Sequence, residues 1–185
     1  GGRLADFSGA IWPKDLPFNG VGILQACNLR KWILPNSIGV VAETGVGYNN
    51  IMSPFIDLTG GFDGWLNDMQ RRGSSTKRQI LRKTRKLKRE VGPLRLERRS
   101  GDLQLLQQLL LWKNEQRRLS GSVDLFEQAW ARKLACNTIN LVEDDFCGTL
   151  DALYAGNSLL AVHLGLQSGN RLHWWVPAYN EAFAR

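Results

Sequence analysis

The sequence predicts an α+β fold: a mixed, mainly antiparallel sheet with flanking helices. Three observations predict it. Apolar residues recur at helical spacing through the middle of the chain. After the acidic loop Glu143-Asp144-Asp145 the period drops to that of strands. Two tight turn signals, Ala155-Gly156-Asn157 and Ser168-Gly169-Asn170, then divide the remainder into three short runs that must pair antiparallel.

Residues 1–70 form a mixed region. Residues 4–9 read as a strand end entering a turn, and 16–29 hold a short helix. Residues 32–35 and 38–43 are strand-like, 53–58 is extended, and 62–70 is a short helix with Asp63 near its start. The region is too interrupted to close a core by itself.

From residue 71 the pattern is cleaner. Ser74 and Ser75 supply cap oxygens for a basic helix. In it Ile80, Thr84, Leu87 and Val91 make one apolar stripe, and Gly92-Pro93 ends it. Residues 94–98 are a short strand. Residues 102–119 are a helix capped by Asp102, with Leu105, Leu109, Trp112, Gln116 and Leu119 on one side. Gly121-Ser122 breaks it. Asp124 caps a second helix in which Phe126, Trp130 and Leu134 lie one turn apart. The meander follows as strands 149–154, 159–167 and 171–177.

Composition narrows the class. The chain has 185 residues, 43% hydrophobic and 22% charged, which excludes a disordered chain, a collagen-like fibre and a disulfide-stapled mini-protein. No apolar run approaches the ~18 residues of a membrane span. Cys27, Cys136 and Cys147 are odd in number and widely spaced, so they read as buried free thiols of a reducing, cytoplasmic compartment. Without Cys-x-x-Cys or His-x-x-x-His pairs, no metal site is expected.

The net charge of +7 is unevenly placed. Residues 71–99 carry 13 basic and two acidic side chains, a local charge of +11, while the remainder carries 11 basic and 15 acidic, or −4. The basic helix 77–91 suits RNA, an anionic membrane surface or an acidic polymer. It equally suits a solvated face, since no aromatic residue interleaves the charges to stack on bases.

The two histidines, His163 and His173, both fall in the meander. Either fits a general base near neutral pH, and either fits a packed strand residue. His173 and Trp175 are two apart and are expected on one face. Trp174 and Trp175 suit the wall of an acceptor cleft or a core. Asp151 suits a group that orients an amine, or plain surface. Pro177 donates no ladder hydrogen bond and marks a strand end, an edge or a place where strands part.

The order strand–helix–helix–meander is that of the first half of the GNAT acyltransferase fold. Residues strengthen the likeness. The run Leu81-Arg82-Lys83-Thr84-Arg85-Lys86-Leu87-Lys88-Arg89-Glu90-Val91-Gly92-Pro93-Leu94 resembles the opening segment of the CelD/BcsL-type acetyltransferases, bacterial relatives of the FemAB peptidyltransferases. Leu150-Asp151-Ala152-Leu153-Tyr154-Ala155-Gly156-Asn157, Ala161-Val162-His163-Leu164-Gly165-Leu166 and Leu172-His173-Trp174-Trp175-Val176-Pro177-Ala178-Tyr179 are similar to the same family. Ser53-Pro54-Phe55-Ile56-Asp57-Leu58 resembles its link between two GNAT-like halves. The likeness covers about residues 50–185. Members usually carry Asp-Pro after the tyrosine, where Asn180-Glu181 stand here.

The resemblance implies residues 1–70 as the remainder of an N-terminal GNAT-like half and 71–185 as the first part of a C-terminal acetyltransferase domain. It implies an acyl-CoA co-substrate, such as acetyl-CoA, and an amine acceptor, with a link to cellulose, polysaccharide or cell-envelope synthesis. The backbone at Trp175, Val176, Pro177 and Ala178 is expected to hold the donor. His163 or His173 would act as base, Tyr179 would protonate the leaving thiolate, and Asp151 and Trp174 would meet the acceptor. The fold is expected to be C-terminally incomplete at Arg185. The helix that grips the pyrophosphate would then lie beyond, and activity of this chain alone would be poor. Two other functions use the basic helix: a non-enzymatic RNA- or anionic-polymer-binding module, and a FemAB-like transferase drawing its donor from tRNA. Steep loss of binding with salt separates these from acyl-CoA binding.

Overall fold

The computed structural model describes residues 19–31, 54–121 and 125–184. The expected strand segments 4–9, 32–35 and 38–43, and the cap Asp124, lie outside the described residues. The chain divides into two units, Gly1–Ile56 and Asp57–Arg185. In the first, helix α1 (Gly20–Ala26) starts where the Asn19 side chain accepts from the Gly22 N–H at 2.8 Å.

The second unit runs α2 (Gly61–Arg71), α3 (Thr76–Glu90), β1 (Leu94–Glu97), α4 (Leu103–Leu119), a 3-10 turn (Leu125–Glu127), α5 (Ala129–Ile139), β2 (Phe146–Ala155), β3 (Ser158–Ser168), β4 (Arg171–Tyr179) and a closing 3-10 turn (Glu181–Phe183). The strands lie in the order β1-β2-β3-β4, and each neighbouring pair is antiparallel. The chain is α+β, as predicted.

Ser74 and Ser75 share the start of α3. The Ser74 hydroxyl accepts from the Thr76 N–H, and the Ser75 hydroxyl accepts from Gln79 Nε2. The apolar stripe is only half covered: Thr84, Leu87 and Val91 are half-buried and Ile80 is exposed. Asp102 caps α4 by accepting from the Gln104 N–H at 2.8 Å.

The structure decides which of the helix positions are buried, and it corrects the expectation of buried thiols. Leu119 does not reach the core and is 67% exposed. The side chain of Gln116 already meets the carbonyl of Tyr179, the last residue of β4. The next turn of α4 therefore has no sheet beneath it. Trp130 and Leu134 also face outward, and α5 buries Ala131, Ala135 and Thr138 instead. Phe126 is buried from the separate 3-10 turn, so it does not share the helical phase of Trp130 and Leu134. The small side chains let α5 close on β2. At the contact, any Cβ on Gly148 would collide with the Thr138 carbonyl. Finally, none of the three free cysteines is fully buried, and Cys27 is exposed.

The register separates two faces of the sheet. Leu150, Leu164 and Val176 form one row across β2, β3 and β4, and Ala152, Val162 and Ala178 form the next. All six are buried. Helix α4 packs on β3 and β4, and α5 on β2, so Leu105, Leu106 and Leu109 of α4 close this core. The alternate rows carry different chemistry: Asp151, His163 and Pro177 in one, Thr149 and Gly165 in the next. No helix among the described residues is long and apolar enough to cross a membrane.

Candidate active site

The site starts from a glycine inside a strand. Between β3 and β4 the register slips: Leu164 faces Val176 and Leu166 faces His173. Gly165 alone therefore opposes both Trp174 and Trp175, which is a β-bulge. The two-residue alternation that set His173 beside Trp175 does not hold through it, and that expectation is corrected.

The space over Gly165 is taken by its neighbours. A Cβ there would lie 2.5 Å from His163 Cε1, 2.9 Å from Thr149 Oγ1 and 3.0 Å from the His173 carbonyl oxygen. The imidazole of His163 thus lies over the glycine. The Trp174 ring stacks on the imidazole at 3.8 Å between centroids and 12° between planes. His163 is left 5% exposed, while Trp174 itself is 64% exposed.

His163 meets Asp151 directly across β2 and β3. Its Nδ1 is 3.9 Å from Asp151 Oδ2, an ion-pair approach too long for a hydrogen bond. The other carboxylate oxygen accepts from the Arg99 N–H at 2.9 Å. Arg99 adopts φ 52°, rare for a residue with a side chain, and its guanidinium bonds Gln167 Oε1 at 2.8 Å. Burial works to raise the Asp151 carboxyl. The facing imidazole, the Arg99 N–H and the charge of Arg98 outweigh it, so the group sits below the ordinary carboxylate value.

Three buried polar atoms near Gly165 have no hydrogen-bond partner: His163 Nδ1, His163 Nε2 and Thr149 Oγ1. Such atoms are costly unless something satisfies them.

The second component is the outer margin of β4. Among the described strands only β3 pairs with it. The Asn180 N–H donates to the Leu160 carbonyl on β3. By alternation Ala178 and Val176 also face β3, and Pro177 and Tyr179 turn their main-chain groups outward. Two of these outward groups are met from α4: Lys113 Nζ donates to the Pro177 carbonyl at 3.0 Å, and Gln116 Nε2 to the Tyr179 carbonyl at 3.3 Å. Burial, and secondarily Arg117, hold Lys113 below the ordinary lysine value.

The structure therefore brings together His163, Asp151, Trp174 and Pro177. Val176 and Ala178 belong to the core rows behind them. Trp175 and His173 are half-buried, and Tyr179, at the end of β4, is exposed. Sequence reasoning missed Thr149, Gly165 and Lys113. Two signals were present. A glycine inside a strand marks a bulge or a close approach. The spacing Leu105, Leu109, Lys113 continues the sheet-facing stripe of α4.

A cavity of about 360 Å³ adjoins the Arg99–Gln167 side of this site and is lined by Arg99, Glu143, Asp144, Asp145, Phe146 and Gln167 among others. It contains none of the histidines. Among the described residues, no group of three or more His, Cys, Asp or Glu is placed to hold a metal ion.

Neither a curated protein nor a solved structure matches the chain. Residues 74–185 match the family model of the acetyltransferase (GNAT) domain. The match takes in α3, the whole sheet and both helices that cover it, well over half of the sequence, and the chain belongs to the GNAT acetyltransferase family.

Proposed function

We propose that this chain moves an acetyl group from acetyl-CoA to an amine, with the donor laid along the outer margin of β4 and His163 as the general base. The observation that carries the reading is the His163 imidazole. It is buried with both nitrogens unpartnered, it faces Asp151, and it stands in register with Pro177 on the strand whose outer margin pairs with no other described strand.

An amine is protonated in neutral water and attacks only after losing a proton. Asp151, facing the ring across the two strands, stabilises the imidazolium that proton transfer creates. Trp174 covers the ring from solvent, so the acceptor reaches Nε2 as Trp174 turns aside. The outward-facing main-chain N–H of Tyr179 polarises the thioester carbonyl as its oxygen gains charge. Tyr179, in the strand's last position, returns a proton to the departing thiolate. The acceptor is a sugar amine of a polysaccharide or cell-envelope precursor in the cytoplasm, in line with the likeness to the CelD/BcsL-type enzymes.

Hydrogen exchange tests the donor's place. Saturating acetyl-CoA should slow exchange in the Arg171–Tyr179 segment more than in β1. Thiol release in the presence of amino sugars tests the base. His163→Gln should lower transfer by roughly 10²-fold or more while the β4 protection stays. Unchanged β4 exchange, or a His163→Gln variant as active as the parent, overturns the proposal.

A further inference from the structure

Helix α4 places one amine against the margin that the donor is proposed to use. Lys113 Nζ lies 3.0 Å from the Pro177 carbonyl. Pro177 is opposite His163 in the register, within the stretch of β4 taken above as the thioester's seat. Its side chain is held on a rigid element. Leu109 and Leu105, one and two turns before Lys113, are buried against the sheet, so Lys113 continues the packed stripe and is itself half-buried.

We propose that Lys113 is a self-acetylation site: an acyl-CoA docked on β4 transfers its acetyl group to Lys113 Nζ of the same chain. The inference rests on the reading of β4 as the donor's margin.

Geometry singles out this lysine. Lys83, Lys86 and Lys88 project from the exposed basic helix and Lys133 from the outer side of α5, all of them exposed. None of these four has a bond to β4. Proximity then favours Lys113, since an amine held beside the thioester reacts as though at very high local concentration. Burial adds to this by disfavouring the ammonium form, with the Arg117 guanidinium a second contribution, so more of the group is the nucleophilic free amine.

The step balances without another reactant. The neutral nitrogen attacks the thioester carbonyl carbon, a C–N bond forms and the C–S bond breaks. CoA leaves as thiolate and takes the proton that the new amide nitrogen gives up. The product is an uncharged acetyl-lysine whose remaining N–H can still meet the Pro177 carbonyl.

The test is peptide mass mapping of the whole chain after incubation with acetyl-CoA. Acetylation at Lys113 should be at least about tenfold faster than at Lys83 or Lys133, which report uncatalysed chemistry. Acetic anhydride, which has no CoA to dock, should abolish that preference. Lys113→Arg should remove the mark and leave β4 protection by acetyl-CoA in place. Lys113 acetylated no faster than the exposed lysines overturns the inference. So does an equal preference with acetic anhydride, which would make Lys113 merely a reactive amine. If β4 is protected by acetyl-CoA and Lys113 stays unmodified, this inference fails and the donor site stands. If β4 shows no protection, both fail.

Discussion

Gly165→Ala is the sharpest perturbation of the site, because its effect is set by three distances. The added methyl carbon would lie 2.5 Å from His163 Cε1, 2.9 Å from Thr149 Oγ1 and 3.0 Å from the His173 carbonyl oxygen. The last of these is main chain in the neighbouring strand and yields least. The imidazole must therefore move by about 1 Å to regain ordinary contact. That movement disturbs the stack with Trp174, whose ring centroid lies 3.8 Å from that of the imidazole. Overpacking of this kind costs about 1–3 kcal/mol, and a lost aromatic stack adds about 0.5–1.5 kcal/mol. An expected loss of about 3 kcal/mol follows, roughly a 150-fold fall in the folded-to-unfolded ratio.

Urea unfolding measures it as a lower midpoint at unchanged slope. Gly101→Ala is the control, since nothing lies within 4 Å of its added carbon, and it should change stability by less than about 0.5 kcal/mol. The proton on His163 Cε1 supplies a second readout: stacked on Trp174, it carries a ring-current shift that Gly165→Ala should reduce. A Gly165→Ala protein as stable as the Gly101→Ala control, with that resonance unmoved, would show that the imidazole does not lie over the glycine.

Two further outcomes follow from side-chain partners. Asp151 is held below its ordinary value of 3.8 in the folded chain. Its stabilising contribution is therefore complete above that value and is lost as pH falls through the lower folded one. The stability gap between the parent and Asp151→Asn should be larger near neutral pH than below about pH 4, where the carboxyl takes up its proton; a gap of the same size at both ends of an acid titration refutes the assignment. Asp102→Ala removes the oxygen that caps α4 and should lower stability by about 1 kcal/mol in thermal or urea unfolding, whereas Asp102→Asn should recover most of it.

Much of the fold is legible because it rests on local chemistry. Gly156-Asn157 and Gly169-Asn170 mark the turns of the meander, and all three strands form on either side of them. Asp102 announces the start of α4. What escapes is whatever depends on a distant partner. The outward face of Trp130 follows from a 3-10 turn upstream and from Gly148 on another element. The role of Gly165 follows from which residue of β4 lies opposite. Asp151 and His163 are individually visible in the sequence, but their pairing is a matter of register, set over the length of two strands.

The register itself has a sequence signature in Pro177. Counting back without interruption from the Leu166–His173 pair would place Trp175 opposite Leu164, and Pro177 opposite Val162. The first would push an indole into a core row that holds a valine. The second would put proline where a main-chain N–H must face β3, since the Asn180 bond to Leu160 turns residues 176 and 178 inward. One extra residue resolves both conflicts. It seats Val176 beside Leu164, moves Pro177 to an outward position where a missing N–H leaves no ladder bond unmade, and leaves both tryptophans opposite Gly165. The stacking of Trp174 on His163 is thus bound to the proline two strand positions away from the bulge. Pro177→Ala should relax the constraint on register without touching the stack directly. A weaker ring-current shift at His163 in that variant would be the mark of a register held by proline, and an unchanged one would assign the bulge to Gly165 and Val176 alone.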